Sequence, residues 1–164
     1  MTLLGDAFGR VRELVQRLTD GLEGDAATFR ADSEANTPAW LLWHLTRIQD
    51  DHVAALAGVE QAWVTWRERF DLPLPADDTG FGHGPEEVAS VRADAALLAD
   101  YHADVHQLTR DYLERLTDHE LERIVDERWD PPVTASARLV SVLGDCWQHL
   151  GQAAFVIGVA GRTR

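Results

Sequence analysis

At 164 residues, with 45% hydrophobic and 26% charged side chains, the chain has the length for one domain with a full core and is too polar-interrupted for a membrane span. A formal charge of -13 excludes a nucleic-acid interface, because a phosphate backbone would be repelled by most of the surface. The single cysteine, Cys146, excludes an intrachain disulfide, and the opening Met1-Thr2-Leu3-Leu4-Gly5-Asp6 lacks the basic and apolar regions of a secretory signal, so the cytoplasm is the expected compartment.

Between Asp6 and Leu22, Phe8, Val11, Val15 and Leu18 recur at helical spacing with Leu14 and Leu22 beside them, and Gly21 and Gly24 mark the exit of this first helix. Asp25 to Ala35 is polar and reads as a loop, with Phe29 tucked into the bundle end. Asn36-Thr37-Pro38 is a start signal, a capping side chain followed by a proline in the first turn, where its missing N–H costs nothing. The second helix runs from there to Ala57 on Leu41, Leu45, Ile48 and Leu56, and Gly58 ends it. Trp63, Trp66 and Phe70 make Gln61 to Phe70 a short helix or a tight aromatic segment.

Leu72 to Pro85, broken by Pro73, Pro75, Gly80, Gly82 and Gly84, is a long irregular loop expected over the mouth of a pocket. Glu86 to Leu116 reads as one long third helix, buried along Val88, Val91, Ala95, Leu98, Val105, Leu108, Tyr112 and Leu116. Thr117-Asp118-His119-Glu120 has the form of a capping box, and Ile124-Val125 with Arg128 to Val133 reads as extended chain around a double-proline turn, or two short strands. The fourth helix spans Ser136 to Val159. The sum is an all-α four-helix bundle, residues 1–164 as one domain, with a long irregular loop between the second and third helices and a short extended segment before the last.

Asp145 and His149 stand four apart in the last helix, one above the other on a stripe that also holds Val142, Gln152 and Val156. A carboxylate on such a face calls for a cation or another partner, since carboxylates are seldom buried unless paired or coordinating. A third ligand is available in His44, set in the apolar run Trp40-Leu41-Leu42-Trp43-His44-Leu45. His44, Asp145 and His149 together are expected to hold a divalent metal, with the remaining positions left to water or substrate. Asp51 and His52, seven and eight residues past His44, reach the rim of such a site more readily than its centre.

Plainer readings stand beside this one. His44 alone reads as a core histidine, and Asp145 with His149 as a hydrogen-bonded pair worth roughly 0.2–0.5 kcal/mol. Cys146 reads as packing, His102 and His106 as a solvated face beside Asp100, Asp104, Arg110 and Asp111, and His83 and His119 as surface unless the loop closes. Trp63, Trp66 and Phe81 are candidates for the wall of a pocket that takes an apolar electrophile.

The Trp40 to Leu45 run and His149-Leu150-Gly151-Gln152, preceded at minus four by Asp145, resemble the DinB/YfiT-like metalloproteins. The resemblance implies a four-helix bundle with a three-ligand site, one His from the second helix and two ligands from the last, which map onto His44, Asp145 and His149. Many members carry His at the place of Asp145, and the mycothiol-dependent maleylpyruvate isomerase branch carries Glu. Arg67 to Gly84 and Asp126-Glu127-Arg128-Trp129-Asp130-Pro131-Pro132 look like the mycothiol S-transferase branch.

What the resemblance implies is a metal-dependent transferase that joins a low-molecular-weight thiol, mycothiol by preference, to a small electrophile. Zinc is the first choice of metal, with nickel, manganese and iron compatible with the ligand types. The alternatives are a non-catalytic metal-binding or stress-related bundle, such as a homodimer, and a metal-dependent hydrolase, for which the sequence offers no well-placed extra general base.

Overall fold

A computed structural model describes residues 3–22 and 24–163. The first helix, α1 (Leu3–Asp20), buries Phe8, Val11 and Val15 and is followed by a 3-10 turn, Gly24–Thr28, in the stretch expected to be loop. Helix α2 (Pro38–Ala57) starts where the sequence signals it, with Pro38 in the first turn and the Thr37 hydroxyl accepting from the Trp40 N–H at 3.1 Å. It ends at Gly58 in the left-handed conformation, φ 67°, which a residue without a Cβ adopts freely.

From Pro38 to Asp50 every residue of α2 except Ile48 is buried, so this helix is enclosed by the bundle rather than lying on it with one face. Most of its buried polar side chains are partnered, although Trp43 Nε1 and Arg47 Nη2 make no hydrogen bond. The Gln49 amide donates to Thr109 at 2.8 Å, and Arg47 reaches the Asp78 carbonyl and the Gln61 side chain. Asp50 accepts from the backbone N–H groups of Ala62 and Trp63, at 3.0 and 2.8 Å, and from the Tyr101 hydroxyl at 2.8 Å. It thus caps the short helix α3 (Trp63–Phe70) from a neighbouring element.

The single long helix expected over 86–116 is interrupted. Helix α4 (Pro85–Ser90) stops, Val91 is extended and buried, and Asp94 caps a new helix, α5 (Ala95–Glu114), by accepting from the Leu97 N–H at 2.8 Å. The apolar spacing runs straight through this break because Val88, Val91 and Leu98 all enter the core. A side-chain cap at Asp94 offers the backbone an alternative to a continued helix that periodicity does not register.

Helix α6 (Asp118–Glu122) is capped by Thr117, and the expected extended segment forms an antiparallel pair, β1 (Ile124–Asp126) with β2 (Val133–Thr134). Thr134 then caps α7 (Ala135–Ala160). The long helices α1, α2, α5 and α7 form the four-helix bundle, with α2 packed on both α5 and α7 and α1 on the same two. Among the described residues no helix is long and apolar enough to cross a membrane.

Candidate metal centre

The seam between α2 and α7 brings together the three residues expected from the sequence. One ligand atom from each of His44, Asp145 and His149 lies within 4.8 Å of the others. Asp145 Oδ1 is 3.5 Å from His149 Nε2, one turn further along α7, and 3.9 Å from His44 Nε2 across the seam. The two imidazoles stand edge to face, centroids 4.8 Å apart and planes at 80°. His44 is buried, while Asp145 and His149 are half-buried, because the α7 face that meets the core is centred on Cys146, Leu150 and Ala153 and the pair sits on its flank.

Both rings have their Nδ1 already engaged. His44 Nδ1 meets the carbonyl oxygen of Thr79, which can only accept, so Nδ1 carries the proton and the Nε2 lone pair faces the seam. His149 Nδ1 lies 2.8 Å from Gln152 Oε1 and is fixed in the same sense. Trp40 stacks on His44 at 4.6 Å and 11° and meets His149 edge-on at 6.0 Å. Burial pushes His44 below its ordinary pKa, against the pull of Thr79 and Asp145, and so favours the neutral, ligand-competent ring. Burial acts the same way on His149, but Asp145 and Gln152 outweigh it and raise that group.

Asp145 Oδ2 is buried and accepts no hydrogen bond. Protonating His149 on Nε2 would satisfy Oδ1 and still leave Oδ2 bare. Two nitrogen lone pairs and a carboxylate converging without a facing donor form a set that a divalent cation fits.

The loop expected over a pocket mouth lies instead directly on α2. Arg47 Nε donates to the Asp78 carbonyl at 3.0 Å, the Asp78 carboxylate accepts from the Gly80 N–H at 2.7 Å, and His83 bridges Asp78 and the Trp40 indole, at 3.0 and 3.1 Å. Gly80 has φ 87°, and a Cβ there would come within 2.8 Å of His44 Nδ1 and 2.9 Å of the Trp43 ring. The loop can therefore deliver the Thr79 carbonyl to His44 only with glycine at 80. His83 is held in this packing because the loop is closed.

Over residues 7–153 the sequence matches the DinB superfamily. The chain belongs to that superfamily. It is similar to a protein of known structure, described as the conserved protein of locus from Enterococcus faecalis, with 31% identity, a TM-score of 0.87 and 96% of each chain covered. No curated protein matches it.

Other expected residues of this DinB chain fall elsewhere. Asp51 and His52 line a groove of about 560 Å³ with Arg123, Asp126, Arg128 and Arg138, which none of the three candidate ligands lines. His102 and His106 do not form a solvated face. His102 is 0% exposed with both ring nitrogens unpartnered, and His106 is half-buried beside it, because α5 turns this side toward α1 and Arg12. Trp63 and Trp66 are core residues packed around Tyr101, and Phe81 is 90% exposed, so the three do not wall a common pocket. Cys146 is buried, its thiol pushed up by burial, in keeping with a packing role.

Thr79 and Asp50 carry no sequence signal of a role at the site, and Gly80 stood out only as a breaker of the loop. Thr79 acts through its backbone and carries no side-chain signal. Gln152 stood in the stripe with His149, and its i,i+3 spacing was the available clue to its role as an orienting acceptor.

Proposed function

We propose that His44, Asp145 and His149 hold one divalent cation, zinc before nickel, manganese or iron, and that the protein is a thiol S-transferase joining a low-molecular-weight thiol such as mycothiol to small electrophiles. The observation that carries the proposal is the orientation of the two imidazoles, each with Nδ1 tied and Nε2 aimed at the space beside Asp145. A divalent ion in such a site lowers the pKa of a coordinating thiol and furnishes a sulfur nucleophile at neutral pH. Two neutral rings and one carboxylate leave it net positive, which suits an anionic sulfur.

The chain's own groups do the holding and shaping. Thr79 and Gln152 fix the ring orientations, Trp40 supplies an apolar wall against His44 and His149, and the groove along His52 and Arg138 offers space two turns away for the polar body of a thiol. A lone buried cysteine, free as a thiol, suits a reducing compartment, and the cytoplasm is proposed as the site of this activity.

The test is consumption of mycothiol with a bimane or a halonitrobenzene by metal-loaded and by chelated protein. Turnover by the loaded form only is the expected result. Turnover unchanged by chelation would overturn the metal's role, and a fully loaded protein with no turnover would leave a non-catalytic metal-binding bundle.

A further inference from the structure

Two histidines of α5, well apart from the metal centre, are short of partners. His102 and His106 lie one turn apart with their rings nearly parallel, centroids 6.4 Å apart and planes at 15°. His102 is wholly buried, and neither of its ring nitrogens has a hydrogen-bond partner among the described residues. The same holds for His106 Nδ1 and for Nη1 of Arg12, which comes from α1 packed alongside. Whichever tautomer His102 takes, one of its nitrogens carries a hydrogen, and Arg12 Nη1 can only donate. Buried donors are as a rule accepted by something, so this corner of the bundle lacks an acceptor.

The surrounding charges select the kind of acceptor. In a chain of 28 acidic and 15 basic residues, the charged side chains that act on the two rings are Arg12 and, for His106, Arg110 as well, with no carboxylate among them. A histidine pair four residues apart is otherwise a clip for a metal ion, but a guanidinium that stays protonated beside it repels a cation. A negative ion meets no such objection, since it accepts from the free N–H groups and offsets the Arg12 charge. The donor atoms are closed to solvent, which suits one small ion rather than a carboxylate or phosphate borne on a larger molecule.

We infer that Arg12, His102 and His106 hold a small monovalent anion of the halide type between α1 and α5, at a site separate from the metal centre. Arg12 Nη1 and a ring N–H of His102 donate to it, and His106 Nδ1 does so in the tautomer that protonates that atom. Arg12 is half-buried and lines an open groove of about 510 Å³ along α1 with Glu13, Gln16, Arg17 and Asp20, so its side chain spans from solvent to the buried pair. The bound ion ties the first helix to the third long helix through a contact that neither makes without it.

The test titrates the full chain with sodium chloride or bromide against sodium gluconate, whose anion is too large to enter, at equal ionic strength. The ring NMR signals of His102 and His106 should move saturably with either halide and stay in place in gluconate. A response that never saturates, or that gluconate reproduces, would overturn the inference. Arg12→Met keeps the apolar stem and drops the charged donor, and should weaken halide binding at least roughly 10-fold, the worth of one charged hydrogen-bonding partner. Arg17→Met, on the exposed side of the same helix, should leave it unchanged; halide binding kept in full by Arg12→Met, or lost with Arg17→Met, would refute the assignment. Should Arg12→Met fail to fold, wild-type crystals grown in bromide decide the matter. An anomalous peak within hydrogen-bonding reach of Arg12 Nη1 is expected there, and water or nothing at that place would overturn the site.

Discussion

His44 Nε2 and Asp145 Oδ1 face each other at 3.9 Å across the seam of α2 and α7, the most extensive helix contact in the bundle. A pair held by two packed helices does not depend on a mobile segment for its spacing, so the geometry is set before any ion arrives.

Purified protein is therefore expected to contain about one divalent ion per chain, and His149→Ala to lose it while keeping the wild-type helical circular dichroism, since His149 lies on the flank of the core. Elemental analysis is the measurement. Equal occupancy in the mutant would refute the ligand assignment. Saturating metal at 100 times its Kd should stabilise the wild type by about 2.7 kcal/mol, read as a rise in Tm that chelation reverses.

Gly80→Ala tests the loop's hold on the centre. The added Cβ must displace either the His44 ring or the loop, and the Thr79 carbonyl moves with it. Losing an orienting acceptor of this kind costs about 10–100-fold in metal affinity. A competition titration against a chromogenic chelator measures it, and an unchanged affinity would show that the carbonyl does not position the ring.

Asp50→Ala leaves two backbone N–H groups, the Tyr101 hydroxyl and the neighbouring Arg47 without their shared acceptor inside the core. The expected loss is about 3 kcal/mol by urea denaturation. A loss under 1 kcal/mol would mean that α3 does not depend on this cap.

Acid sensitivity should trace to His102. Burial, then Arg12 and His106, lower its pKa from the ordinary 6.5 to about 3, so the folded protein keeps the ring neutral where the unfolded chain binds a proton. The unfolded state thus binds more protons between these values. Stability from this group is intact above pH 6.5 and falls as pH drops toward 3. His102→Phe should flatten the decline in Tm over that window, and an equally steep decline in the variant would assign the sensitivity elsewhere.

The fold was legible in the sequence where local chemistry and burial agree. Thr37, Pro38 and Gly58 bracket α2 as read, and the i,i+4 spacing of Asp145 and His149 delivers the pair to the seam. Where they disagree, periodicity misleads. Val88, Val91 and Leu98 keep a helical rhythm through a chain that breaks at Asp94, and the acids near His102 suggested solvent on a helix whose other side faces α1. The orienting carbonyl of Thr79 was beyond reach for a different reason: any residue brings the same oxygen, so only the path of the loop makes it special.

That path has a consequence of its own. One main-chain oxygen connects the 72–84 stretch to the imidazole on α2, so exchanges of prolines, acids or glycines within the stretch can alter the basicity and tilt of that ring while all three ligands stay as they are. Diversity among related bundles is then as much to be sought in a connector that touches no ion as in the residues that do.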